Sequence, residues 1–246
     1  MIRRIVSQGW GLLLIFAIWQ VWVVSFHYNS IVAVTPVAVI RDVLLHPLIY
    51  LLPALWTLAF ALAGLAAGLA LGLLLAIAAW GSQLLSGAIS PAALLLSSTP
   101  VVCLIPLLAR IFGYRSQTEF VTVAIMTFFP GFVFAGKGLR TLPQGASNFF
   151  AVLAATRAQQ LRWLALPAAI PEMAVALRIG AGYSVMVTMI SEYLMQTGGL
   201  GNMFALTSEA FETERAWGAS LVAMVLSVAL YTAAGAIETR VKSWYR

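Results

Sequence analysis

The stretch Leu153-Ala-Ala-Thr-Arg-Ala-Gln-Gln-Leu-Arg-Trp-Leu-Ala-Leu-Pro-Ala-Ala-Ile-Pro171 decides how this chain is read. It is a polar, basic island in a sequence that is otherwise almost unbroken hydrocarbon. It is too polar to cross a bilayer. It ends at Leu166-Pro167, where a new apolar segment begins. A membrane protein that keeps such a helical loop in water is offering it to a partner.

Outward from the island, composition sets the class. The chain has 246 residues, 62% of them hydrophobic and only 9% charged, with a mean hydropathy of +0.96. A soluble domain carries roughly 25% charged residues. A spanning helix needs about 20 apolar residues, so roughly five to seven fit. The long apolar runs lack the alternation of barrel strands, which leaves helices as the only way to pair the backbone in lipid. The expected fold is all-α, a polytopic transmembrane helix bundle with six spans, near 10–27, 54–80, 86–112, 119–137, 170–193 and 216–237. The apolar run behind Arg3 and Arg4 lacks a small-residue cleavage site and reads as an uncleaved first span.

Local signals fill in this outline. Thr35-Pro36 can cap a short amphipathic helix. Gly64, Gly68 and Gly72 form a small-residue ladder on one face of span 2, suited to close approach of another helix, with a hinge as the alternative. Span 3 carries Pro91, Pro100 and Pro106, each expected to bend it, and the Ser97-Ser98-Thr99 hydroxyls can satisfy the freed carbonyls. Such a segment either lines a pathway, through Thr99 and Pro100, or is a kinked packing helix. Pro130-Gly131 reads as a break in span 4. Residues 194–214 read as a connection with a glycine-rich start and an acidic run. Within the island, Ala151 to Leu164 read as one or two short helices, with Pro167 and Pro171 re-aiming the chain into span 5.

Charge sets the expected orientation. With six spans, Arg3, Arg4, Lys137, Arg140, Arg157, Arg162, Arg240, Lys242 and Arg246 share the side of the termini, against Arg41, Arg110, Arg115 and Arg215 opposite. This places the termini and the island in the cytoplasm. The net charge of +6 then reflects membrane topology rather than nucleic-acid binding.

Candidate chemistry is sparse. Cys103 is the single cysteine, and His27 and His46 are the only histidines, so no His/Cys metal site can be built. There is no P-loop or dinucleotide fingerprint, and Gly180-Ala-Gly182 reads as helix packing. No catalytic residue is expected. No acid pair is expected mid-membrane to drive a proton-coupled carrier. Ionisable groups inside spans are costly and point to function. Arg178 and Glu192 stand 14 residues apart on span 5, which returns them to nearly one face about 21 Å apart. Gly182, Val185 and Met189 lie between them on that stripe. A translocation path is one reading; the other is that each charge neutralises a neighbouring helix or snorkels to an interface.

Here the chain resembles a known family, the binding-protein-dependent ABC importer permeases. Their cytoplasmic loop reads Glu-Ala-Ala, three residues, Gly, a spacer and a closing Leu-Pro. Leu166-Pro167 matches the close, and Ala155-Thr156-Arg157 matches the residues after the glycine. Ala154 stands at the glycine position, and Asn148-Phe149-Phe150 replace Glu-Ala-Ala. Further likenesses are Val34-Thr35-Pro36 with Val39, Thr99-Pro100 to Pro106, Phe112-Gly113, Leu177-Arg178-Ile-Gly180, and Ser191-Glu192 with Gly198-Gly199-Leu-Gly201. They are most similar to the nitrate/sulfonate/taurine-type branch.

The resemblance implies an N-terminal helix (1–30) and a permease core (31–246) with a coupling loop at 138–167. It implies a bacterial inner membrane protein with both termini cytoplasmic, paired with a second permease copy or a paralogue. A cytoplasmic ABC ATPase dimer would grip Ala154, Ala155, Thr156, Arg157, Ala158, Gln159 and Gln160. ATP and Mg would sit on that ATPase and no cofactor on this chain. A periplasmic or lipid-anchored binding protein would deliver the solute. A small anion such as taurine, a sulfonate or nitrate is favoured over a thiamine precursor or riboflavin. A stand-alone carrier or channel, or a structural membrane subunit, are the competing readings.

Overall fold

The computed structural model describes residues 2–29 and 31–245, with the side chains of residues 2–9, 12 and 147 left aside. Arg246 and the side chains of Arg3 and Arg4, used in the charge tally, lie outside the described residues. Eleven helices and one π-helical turn are found there, and no strand. In chain order the helices are α1 (Ile2–Ser25), α2 (Pro36–Leu45), α3 (Pro47–Gly81), α4 (Gln83–Ser98), α5 (Val101–Phe112) and α6 (Ser116–Arg140). They continue with α7 (Ala146–Val152), α8 (Arg157–Gln160), α9 (Leu166–Met195), α10 (Gly199–Glu209) and α11 (Thr213–Trp244).

Among the described residues, four stretches are long and apolar enough to cross a membrane: α3, α6, the run Arg157–Met195 that contains α9, and α11. The pair α4–α5 makes a fifth if it is one span, and α1 holds a shorter apolar stretch, Leu13–Ser25, so four to five spans are found where six are expected. Span 3 is the clear departure, because α4 and α5 meet at 107° rather than forming one kinked rod. Thr99 precedes Pro100, and the proline ring forces it out of the helical region, to φ −76° and ψ 125°. Pro91 and Pro106 stay inside their helices. As expected, hydroxyls cover the loosened carbonyls: Ser97 Oγ donates to Leu94 O (2.8 Å), Ser98 Oγ to Leu95 O (2.8 Å) and Thr99 Oγ1 to Leu95 O (3.1 Å).

The central crossing is α3 on α6, and the glycine ladder builds it. A Cβ on Gly68 would lie 2.4 Å from Ala124 O, and one on Gly72 2.5 Å from Phe132 N. The two backbones therefore touch, and Thr127 Oγ1 reaches across to Gly64 O at 3.1 Å. Packing, not a hinge, explains the ladder. Gly131 belongs to the same crossing, since its Cβ would sit 3.0 Å from Leu69 Cα. The expected break at Pro130-Gly131 is absent, and α6 runs through it. Proline removes one hydrogen bond; the tight contact with α3 holds the helix on either side of it.

α9 lies against α6 at Gly138, whose Cβ would meet Ala169 Cα at 2.7 Å, and against α11, where Ser227 Oγ donates to Gly182 O at 2.8 Å. Lys137 pairs with Glu172 (2.8 Å), binding α6 to α9 at the basic end. Gly180 meets Leu65 of α3, so the Gly180-Ala-Gly182 run is a packing site. α2 begins as expected, with Thr35 Oγ1 accepting from Ala38 N (3.3 Å) ahead of Pro36. α1 rests on the outside, its Trp19 ring 5.2 Å from Trp217 of α11.

Candidate functional site

The island lies at the end of the bundle where α6 finishes in Lys137 and Arg140. α7 and α8 form it, and both stand largely in the open. Phe149 is 61% exposed, Val152 86% and Leu153 61%, an apolar edge that this chain does not cover. α7 closes with two hydrogen bonds, Ala155 N to Phe150 O and Ala154 N to Ala151 O, both 3.0 Å. That closure needs a left-handed residue at the turn, usually glycine. Ala154 occupies it, with φ +47°.

Thr156 then starts α8 with a capping box. Its Oγ1 accepts from Gln159 N (3.3 Å), and Gln159 Oε1 accepts from Thr156 N (2.8 Å). Gln160 Nε2 donates back to Ala155 O at 3.4 Å, and Ala158 is exposed. Arg157 Nη1 donates to Gly81 O (3.2 Å), placing a cation on the negative end of the α3 dipole.

The expected re-aiming at Pro167 and Pro171 does not occur, for the chain is helical from Arg157 to Met195. The turn Leu161–Ala165 is π-helical, with Leu166 N bonded to Leu161 O. The wider turn joins the short α8 to the long α9 without a break.

The stripe on α9 is packed against other helices of the same chain. Arg178, Gly182, Val185, Met189 and Glu192 do share a side of the helix, but the chain's own helices occupy it. Arg178 Nη1 pairs with Glu238 of α11 (3.1 Å) and its guanidinium stacks 4.4 Å from the Tyr231 ring. Gly182 faces Tyr231 and Ser227. Val185 and Met189 pack with Tyr50, Leu200 and Met203. The reading in which each charge neutralises a neighbour fits Arg178, and within one protomer the stripe is a packed seam.

Glu192 is fully buried and organises the other end of the bundle. Thr57 Oγ1 of α3 lies 2.8 and 2.9 Å from its two oxygens, and Gly201 N donates to Oε2 (2.9 Å). Thr57 Oγ1 also accepts from Leu200 N at 2.9 Å. The free N–H groups that open α10 thus end on a hydroxyl and a carboxylate from two other helices. The glycines allow this fit. A Cβ on Gly199 would lie 2.0 Å from Glu192 Oε1, and one on Gly201 2.1 Å from Met189 O. Residues 194–214, read from sequence as a connection, contain this packed helix. The glycines that looked like a loop are the contact points.

Glu119 is the functional candidate that sequence reasoning missed. It is fully buried in the first turn of α6. Its Oε2 accepts from Thr197 Oγ1 at 3.1 Å, and its buried Oε1 has no hydrogen-bond partner among the described residues. Two buried acids, Glu119 and Glu192, thus lie at the end of the bundle away from the island. The sequence signal of Glu119 was weak, because it directly follows a polar turn.

Thr99 and Pro100 sit at the α4–α5 elbow. Beside α4, a cavity of about 430 Å³ is lined by Ser90, Leu94, Phe129, Val133, Lys137 and Arg140. Arg140 donates to Ser86 Oγ (3.2 Å) and has no carboxylate partner among the described residues. Nor do these residues gather a His/Cys/Asp/Glu group able to hold a metal.

Comparison with known proteins follows this geometry. The chain is 25% identical over 160 residues to the riboflavin transport system permease protein of Chloroflexus aurantiacus, a match covering 65% of this chain and 60% of that one. It is 26% identical over 164 residues to the taurine transport system permease protein of Escherichia coli, covering 67% and 60%. The match thus spans about three fifths of these relatives' length. Among solved structures, the inward-facing methionine transporter MetNI superposes on 79% of this chain and 98% of that chain, with a TM-score of 0.65 at 22% identity, a likeness of fold. Residues 68–243 match the model for binding-protein-dependent transport system inner membrane components, so the chain belongs to that family of ABC importer permeases.

Proposed function

We propose that this chain is the membrane subunit of an ATP-driven importer and supplies a gate with no chemistry of its own. The observation that carries this reading is the exposed α7–α8 pair. Its apolar edge (Phe149, Val152, Leu153) is presented at the basic end, and its turn is tied to α3 by Arg157 and joined to α9 through the π-helical turn. A cytoplasmic ATPase dimer gripping Ala154 to Gln160 would push on α9 directly. A second copy or a paralogous permease completes the pore, and a binding protein delivers solute at the opposite end. The basic end faces the cytoplasm, in accord with the charge bias.

The path for solute runs along the α4–α5 elbow, past Thr99 and Pro100, and the neighbouring cavity. A small anion is the favoured cargo. Two features support it: the likeness to the taurine permease and the unpaired Arg140 on the cavity. Arg178 does not support it, being neutralised by Glu238. The riboflavin relative keeps a larger neutral cargo as the second reading. The test is pull-down with the ATPase encoded beside this chain. Leu153→Asp should abolish co-purification while Leu206→Asp, on the exposed side of α10, leaves it intact. Equal retention by both variants would refute the docking assignment.

A further inference from the structure

The cavity beside α4 joins an apolar bed to a cation that lacks a counter-charge. Its volume is about 430 Å³. Ala76 and Ala79 of α3 and Phe132 of α6 form a buried, apolar floor. Leu94 and Val133, both exposed, stand at its open side. Lys137 and Arg140 line it at the basic end of the bundle. Lys137 is committed to Glu172 at 2.8 Å. Arg140 donates to a neutral hydroxyl, Ser86 Oγ (3.2 Å), and meets no carboxylate among the described residues. Ser86 belongs to the first turn of α4, where the helix dipole adds to the positive potential. The nearby Arg157 does not cancel that potential, since its guanidinium is drawn to Gly81 O at the end of α3.

We propose that this cavity binds one anionic phospholipid from the leaflet that meets the basic end, with its phosphate on Arg140 and an acyl chain against Phe129, Val133 and Leu94. Basic pockets between spanning helices recognise such headgroups. In a bilayer, lipid chains cover the open apolar wall in any case, and Arg140 selects among their headgroups for negative net charge. A free oxyanion offers Arg140 the same contact but leaves the wall unused. The elbow at Thr99 lies 13 residues beyond Ser86, about 20 Å along α4, so cargo can pass there without meeting the headgroup. A headgroup between Arg140 and Ser86 ties the last turn of α6 to the first turn of α4. This assignment requires only that the basic end meet a membrane face; whether an ATPase drives the chain does not enter it.

The test sets phosphatidylglycerol against phosphatidylcholine on the purified full chain, read by native mass spectrometry. From an equimolar micellar mixture the unsubstituted chain should retain one phosphatidylglycerol. Arg140→Gln, at an exposed side chain, should cut that retention about tenfold. Arg240→Gln removes a charge from the end of α11, outside the cavity lining, and should leave retention nearly unchanged. Gly136 lines the cavity, and a Cβ there would meet nothing within 4 Å. Gly136→Leu should therefore fill the space without disturbing the fold and expel the lipid while Arg140 stays in place. Equal losses in Arg140→Gln and Arg240→Gln would reduce the effect to general charge and overturn the proposal. Undiminished retention in Gly136→Leu would overturn it as well. Displacement of phosphatidylglycerol by taurine or inorganic phosphate would give the cavity to a water-borne anion, which also overturns it. None of these outcomes involves uptake, so the importer reading stands or falls separately.

Discussion

Replacing Ala154 by glycine should tighten the island, against the usual expectation that glycine loosens a chain. Ala154 is held at φ +47° by the paired hydrogen bonds that close α7. An L-residue with a Cβ there is disfavoured by about 1–2 kcal/mol, from crowding against the following carbonyl. Glycine escapes that strain but adds freedom to the opened loop, a cost of about 0.5–1 kcal/mol. The difference leaves roughly 0.5–1 kcal/mol in favour of the closed turn, a two- to fivefold shift in its opening equilibrium. Hydrogen–deuterium exchange reads this directly at the amides of Ala155 and residue 154, which close the turn. Ala154→Gly should exchange about two- to fivefold more slowly at both, and Ala154→Val, β-branched and worse in this region, faster. Faster exchange in Ala154→Gly, or no change in Ala154→Val, would refute the strain argument.

Other substitutions probe the remaining contacts. Gly68→Leu should force α3 from α6 and cost about 1–3 kcal/mol in denaturant titration, whereas Gly87→Ala, with open space at its Cβ, should be close to neutral. Thr57→Val strips Glu192 of a donor and Leu200 N–H of its acceptor, an expected loss of about 2–4 kcal/mol that Thr57→Ser should largely restore. Arg178→Glu should lower the thermal midpoint, and adding Glu238→Arg should recover much of it; a double variant no better than the single would show that the pair is not the role of Arg178.

Much of the architecture was legible because it follows from local rules. Apolar length announced the helices, the Gly64–Gly68–Gly72 spacing announced a close crossing, and Thr35-Pro36 announced the start of α2. The island was readable because polarity is conspicuous in hydrocarbon. What stayed hidden depends on partners distant in sequence. The same proline signal meant a 107° elbow at Pro100 and an unbroken helix at Pro130, where Gly131 packs on Leu69 of α3. Spacing put Arg178 and Glu192 on one side of α9 but could not say that α11, α3 and α10 would fill that side. Glu119 was opaque for the same reason, since Thr197, which hydrogen-bonds to it, lies 78 residues later in the chain. α10 was missed because its glycines, chosen for contact with Glu192, look like loop residues in isolation.

The central claim is that force enters this protein from an ATPase seated on Ala154 to Gln160. The most direct test is solute uptake in proteoliposomes holding the chain with its cognate permease partner, ATPase and binding protein. Uptake should require every component and ATP, and should vanish with Leu153→Asp although the bundle still folds. Uptake by the membrane chain alone, or driven by an ion gradient without nucleotide, would contradict the account.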